Sequence, residues 1–359
     1  MIEQYTITTT PKYNFPQPTL EQPLPQRFTE LSINSLRQVR INALQLNQQN
    51  LQTDNLTDST PTQLQLKRQP LPLIPRHQET LIGAVDTSTI KIGETTTGII
   101  IAIRGATVYK KNRNYNYKRV GPFIFHITEE NKNAVFNNLE RDCFNMQTTG
   151  AHQCAPPLMQ MPTRLASLLE RWLQTSLAKT ASDALILFDG SLTSGTFDTP
   201  VSRLREILTI ARRNNNTVLA FSKATSLRSN GYLITDLLPD REPPYLLETT
   251  GLRFKPPTVL LGDVYVARLN KANMAFRLDI DHEVAFQSHL QAVEKLIGND
   301  ALQQSYPETL RLAHILCTFT ANEVLAMQHF ITRKHGIQII NRPDMHRLLF
   351  GPFGRESYA

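Results

Sequence analysis

Two apolar runs in this chain end in the same way. Residues 81–90 read LIGAVDTSTI and residues 184–192 read ALILFDGSL, each delivering an Asp followed by small hydroxyl-bearing residues. Unbroken apolar runs of this length suit strands covered on both faces of a sheet. The chain must therefore build a sheet with helices on either side, and carry two carboxylates, Asp86 and Asp189, to strand carboxyl ends. Gly190 permits a tight turn that leaves the second carboxylate accessible. A single Asp-Gly is commonly a turn residue; two matching strands point to chemistry.

The intervening segments set the fold. TTTGIIIAIRGATVYKK and VGPFIFHIT follow the first run as two further strands with short connections, which reads as an antiparallel meander. MPTRLASLLERWLQTSLAKT places Leu165, Leu168, Leu169, Trp172, Leu173 and Leu177 at helical spacing and leads into the second Asp strand. A basic helix, PVSRLREILTIARRNN, precedes the strand TVLAFSKAT. VLLGDVYVARLN and AFRLDIDHE read as a late hairpin, and helices are predicted at 281–297 and 306–334. Residues 1–77 are rich in Pro, Gln, Asn and Thr. They read as an N-terminal arm with a helix at 28–51, carried by Phe28, Leu31, Leu36, Val39 and Leu44, and a linker at 55–75. The main domain is expected over 78–359, including the C-terminal helices.

Three antiparallel strands, a helix and a fourth strand beside the first make a ribonuclease H-like α/β arrangement, a mixed sheet flanked by helices. In it Asp86 and Asp189 become neighbours. Two close carboxylates repel, and a shared divalent cation relieves the repulsion. A pair of such ions about 3.5–4 Å apart activates water and stabilises the leaving oxygen of a phosphodiester. Glu170 borders the apolar stripe of its helix. His314 lies on or near the apolar face of YPETLRLAHILCTF, between Leu310, Ala313 and Cys317, where a satisfied core histidine is the ordinary role.

In this order, LIGAVDTSTI, Glu170, ILFDGSL, VLAFSKAT and YPETLRLAHIL resemble the NurA-domain nucleases, the bacterial branch in particular, over roughly residues 78–330. The resemblance implies a ribonuclease H-like fold and manganese-dependent DNA cleavage, with magnesium as the other ion. It implies 5′–3′ exonuclease or single-strand endonuclease activity in DNA end processing and double-strand break repair. It also implies a homodimer, a HerA-like hexameric translocase as partner, and a cytoplasmic location. By motif position, Asp86, Glu170, Asp189 and His314 would carry the metals, and Lys223 would approach a phosphate. The first motif departs from the family pattern, because Thr87 follows Asp86 where Gly is expected.

VYKKNRNYNYKRVG interleaves Tyr109, Tyr115 and Tyr117 with Lys110, Lys111, Arg113, Lys118 and Arg119. Cations that track phosphates and rings that stack on bases are the recipe for single-strand binding without sequence choice. The formal net charge of +7 fits a polyanionic partner. Arg212 and Arg213 either add to that field or favour their helix end. No apolar run reaches the roughly eighteen residues of a bilayer span, and the N-terminus has no secretory pattern. Cys143, Cys154 and Cys317 form no disulfide framework and, with His152, no standard zinc spacing, so free thiols are expected.

Two other readings compete. A sugar-kinase or actin-like phosphotransferase shares paired Asp-tipped strands, but Ser88 stands where its phosphate loop needs Gly. A NurA-like subunit that binds DNA and docks a translocase without cutting draws support from Thr87.

Overall fold

Thirteen residues, six of them β-branched, make the first long strand. In the computed structural model, which describes residues 64–67, 69–144 (side chains to 140), 155–195 and 200–340, β1 spans Ile82–Glu94. β2 (Gly98–Lys111) and β3 (Asn114–Thr128) complete the expected antiparallel meander. Helix α1 (Lys132–Phe144) was not foreseen; α2 (Met161–Thr180) matches the predicted span. β4 (Leu185–Asp189) then pairs parallel with β1, and after α3 (Val201–Arg213) β5 (Thr217–Ser222) pairs parallel with β4. β6 (Tyr245–Thr250), β7 (Gly262–Arg268) and β8 (Phe276–Asp281) extend the sheet, whose order is β6-β7-β8-β5-β4-β1-β2-β3. β7 and β8 form the predicted hairpin.

The order β3-β2-β1-β4-β5 is the ribonuclease H-like arrangement. All described residues belong to one unit, Ser59–Ala359. Gln65–Leu66 and Leu71–Pro72, read as linker, pair with β6 in this sheet. The predicted helix at 28–51, and Cys143, His152 and Cys154 as side chains, lie outside the described residues.

Strand alternation divides the core. Ala84, Leu187, Leu219 and Phe221 face α4 (Phe286–Asn299) and α5 (Glu308–Cys317) through Val293, Leu310 and Ala313. Val85, Ile186, Phe188 and Ala220 face α2 and α3 through Leu173, Leu177, Leu204 and Leu208. Each fully buried Leu or Phe contributes ~2 kcal/mol, and Leu310 fixes α5, with His314 on it, against β1. A Cβ at Gly105 would lie 2.5 Å from Leu173 Cδ1, so glycine there lets α2 approach β2 closely. Trp172, expected on the buried stripe, is exposed instead.

The last predicted helix is two helices. α5 ends at Cys317, and α6 (Ala321–His335) begins behind a capping box in which Thr320 and Glu323 satisfy each other's backbone N–H groups. Arg104 of β2, almost fully buried, locks this corner. It donates to the Thr318 carbonyl at 3.0 Å and to Glu323 Oε1 at 2.6 Å, and lies 4.3 Å over the Phe319 ring. Likewise α4 starts at Phe286 rather than 281, because Asp281 is still paired in β8.

Candidate metal centre

Asp86 does not end its strand. β1 continues eight residues past it to Glu94, whereas β4 stops at Asp189. The parallel pairing of β1 and β4 closes at Val85 and Phe188, so the residues that follow, Asp86 and Asp189, stand at one level. By alternation both carboxylates rise on the α5 face, in line with Ala84 and Leu187. Asp86 Oδ1 accepts from the Thr87 N–H at 2.7 Å, and Oδ2 lies 2.7 Å from His314 Nδ1. Asp189 Oδ2 accepts from Lys223 Nζ at 2.6 Å.

His314 is half-exposed and bonded to a carboxylate, so the core-histidine role does not apply. The loop behind Asp189 is tightly held. Gly190, at φ +105, donates its N–H to the Phe221 carbonyl, and Ser222 Oγ donates to the Gly190 carbonyl. The Leu192 N–H donates to the buried Asp279, which Arg277 grips through two nitrogens at 2.7 Å each.

Negative charge accumulates here with too few cations. Burial raises the Asp86 carboxyl above its ordinary value, the Asp189 charge adds to this, and the His314 and Thr87 hydrogen bonds oppose it. Burial, then the charges of Asp86 and Asp189, push the half-buried Glu170 up to about 7, against Arg171 and the Gln174 amide. Glu170 therefore senses both aspartates. Its carboxylate accepts from the Gln174 amide of its own helix at 2.8 Å. Lys223 Nζ stands against Asp189, where a metal-bound site would place a cation. Carboxylate oxygens and an imidazole converging with excess negative charge suit a divalent ion.

Two residues with a place in this site escaped the sequence reading. Tyr306, two residues ahead of α5, is 8% exposed, and its hydroxyl is aimed at Asp189 without a close hydrogen bond. Burial and then the charges of Asp189 and Asp86 raise its phenol well above the ordinary value, which places the hydroxyl within their field. Cys317 Sγ lies with Asp86 and His314 in one group whose ligand atoms are all within 4.8 Å of one another. Burial, then the Asp86 charge, push its thiol up to about 12. The only sequence signal was spacing: His314 and Cys317, three apart, share a helix face.

The basic hairpin sits elsewhere. Lys110 pairs with Ile82, four residues before Asp86 on the β1 scale, or about 13 Å along the strand at ~3.3 Å per residue. Lys110 is 8% exposed, and Tyr115 donates its hydroxyl to Asp300 Oδ1 at 3.0 Å. Lys110, bonded to the Asn112 carbonyl of its own turn, is buried, and the half-buried Tyr115 ties the hairpin to the body, so neither presents the free side chain expected of a DNA contact. Lys111 pairs with Glu79 at 3.4 Å and Arg119 with Glu323 at 3.5 Å. Arg113, Tyr117 and Lys118 are exposed. Arg212 is engaged by Asp281 and Glu283.

Structural neighbours of this chain include NurA nucleases. The NurA nuclease from Sulfolobus solfataricus aligns over 74% of this chain and 88% of its own, at 14% identity and a TM-score of 0.45. A second NurA structure aligns over 89% of this chain and 99% of its own, at 11% identity and a TM-score of 0.41. The C-terminal lobe of a budding yeast Argonaute follows at 12% identity and a TM-score of 0.28, over 72% of this chain and 51% of that one. No family model and no curated protein matches the chain. Compared with the expected NurA pattern, Thr87 is accommodated without crowding Asp86: its hydroxyl donates to the Ala166 carbonyl of α2 at 3.3 Å, across the sheet from the α5 face.

Proposed function

We propose that this chain is a metal-dependent deoxyribonuclease that hydrolyses phosphodiester bonds. The supporting observation is the convergence of Asp86, Asp189 and His314 at the point where β4 ends, with Glu170 and Lys223 beside them. Asp86, Asp189, Glu170 and His314 would hold the divalent ions, manganese first and magnesium second. Bound there, such ions activate water and offset charge on the phosphate.

The protein groups have separate tasks. Lys223, released from Asp189 once a cation offsets that carboxylate, contacts a non-bridging phosphate oxygen. The Tyr306 hydroxyl, buried and aimed at Asp189, would donate to an oxygen of the reacting phosphate or its water. Glu170, whose carboxyl is pushed up to about 7, would hold a cation as the carboxylate and release its proton to solvent. On the side of substrate, Arg113, Tyr117 and Lys118 remain as single-strand contacts, with Lys111 and Arg119 once their surface pairs open. The weak acid–base pairs they make, worth ~0–1 kcal/mol, do not prevent that.

The same reading gives the chain 5′–3′ exonuclease or single-strand endonuclease activity, a homodimeric state and a HerA-like hexameric translocase as partner. It assigns the pair to DNA end processing and double-strand break repair in the cytoplasm. Among the described residues no helix is long and apolar enough to cross a membrane. The decisive experiment incubates purified chain with labelled single- and double-stranded DNA, with and without manganese. Cutting that needs metal and disappears in Asp86→Asn and Asp189→Asn supports the reading. Intact DNA under all conditions, with both variants binding DNA like the parent, supports the non-cutting subunit instead.

A further inference from the structure

Hydrolysis by a manganese centre uses oxygen and nitrogen donors, which leaves one donor atom of this cluster without a task. Cys317 Sγ lies within 4.8 Å of a carboxylate oxygen of Asp86 and a ring nitrogen of His314. The thiol is fully buried, and its hydrogen bond runs to the His314 carbonyl at 3.2 Å, inside its own helical turn. No side chain of another element holds it by a hydrogen bond among the described residues. The half-exposed His314 opens the group to solvent, so an ion has a way in.

We propose that Asp86, His314 and Cys317 form a site for a thiophilic divalent cation of the zinc class, which competes with the catalytic ion. The proposal rests on the nuclease reading for its consequence, because Asp86 and His314 are shared, but its chemistry stands apart. One carboxylate oxygen, one imidazole nitrogen and one thiolate sulfur are three of the four donors of a tetrahedral zinc site, and water completes the fourth. Manganese and magnesium favour oxygen and gain little from sulfur, and zinc ranks above manganese in general affinity. On binding, the sulfur–metal bond replaces the S–H bond and the proton leaves to solvent. A cation held by that sulfur commits Asp86 to a geometry other than the one hydrolysis needs, so zinc inhibits cutting.

Cobalt reports the sulfur directly. Titrating the metal-free full chain with cobalt(II) is expected to raise a thiolate-to-cobalt charge-transfer band in the near ultraviolet, displaced by zinc. The band should vanish in Cys317→Ser and Cys317→Ala, the second included because it buries no hydroxyl, and the Ala variant should keep the parent's far-ultraviolet circular dichroism. It should persist in a Cys143→Ser, Cys154→Ser double variant. In the manganese-activated reaction, half-inhibition of Cys317→Ala should need at least ~10-fold more zinc than the parent. No band, or one that survives loss of Cys317, overturns the site; equal zinc sensitivity of parent and variant overturns its inhibitory role. If the parent cuts no DNA with manganese, the nuclease reading falls while the cobalt band still decides the site.

Discussion

His314 Nδ1 and Asp86 Oδ2 lie 2.7 Å apart, although 228 positions separate them in the chain. The contact ties α5 to β1 at the level where β4 ends. Because the imidazole is half-exposed, removing it opens no cavity. His314→Ala should therefore leave the metal-free melting temperature within a degree or two, yet raise the manganese needed for half-maximal cutting by ~10–100-fold. A sharp drop in melting temperature with an unchanged manganese requirement would make His314 a packing residue.

Glu170 gives a prediction with a defined pH window. Its carboxyl is raised from the ordinary value of 4.5 to about 7, chiefly by burial. Above pH 4.5 the unfolded chain releases this proton while the folded chain keeps it, so stability declines as pH rises and levels off above about 7. The full effect is ~3 kcal/mol by 1.36 kcal/mol per pKa unit. Metal-free Glu170→Gln should match the parent near pH 4.5, be more stable by up to that amount at pH 8, and bind manganese less well. Equal pH dependence of the two melting curves would place the carboxyl in water.

The buried hydroxyl of Tyr306 separates stability from chemistry. Tyr306→Phe removes a buried hydroxyl held only loosely toward Asp189, so stability should stay within about 1 kcal/mol of the parent. Cutting should fall by about 10²-fold, as for loss of one preorganised donor. Full activity in a well-folded Phe variant would leave the hydroxyl as a packing accident.

Arg104 tests the corner between α5 and α6. Arg104→Gln removes the donor to Thr318 and the partner of Glu323, and should lower stability at pH 7 by ~1–3 kcal/mol. The Glu323 carboxyl is held down at about 2, first by the Arg104 hydrogen bond. Its contribution is present above pH 4.5 and lost as pH falls toward 2. Parent and variant should accordingly converge in acid, as followed by urea midpoints at pH 7, 4 and 2.5. A constant difference would mean that packing against Phe319, not charge, holds the corner.

What could be read from the residues alone was decided by local pattern. The apolar runs carrying Asp86 and Asp189, the meander and α2 announce themselves within a few residues; that β1 runs on past Asp86 does not, and His314 was singled out by the family resemblance rather than by local pattern. β6 was missed because it follows a Pro-rich stretch and is stabilised by pairing with β7 and Leu71–Pro72. The break between α5 and α6 was hidden because apolar spacing runs on through a capping box that only Thr320 and Glu323 mark. Tyr115 looked like a solvent-facing DNA contact because its partner, Asp300, lies 185 residues further along the chain. No local pattern carries that information. Tyr306 and Cys317 gained their place from tertiary convergence on Asp86 and Asp189.

The unequal lengths of β1 and β4 have a consequence for how a polymer reaches this centre. Past Asp86, β1 runs on for eight residues, about 26 Å at ~3.3 Å per residue, with β2 and β3 alongside it. On the β4 side the strand stops at the carboxylate itself. The centre is thus a step at the foot of a three-stranded wall. A nucleic acid bound at the proposed centre would have this long sheet edge on one side and, on the other, the open end of β4 with Lys223 just past β5.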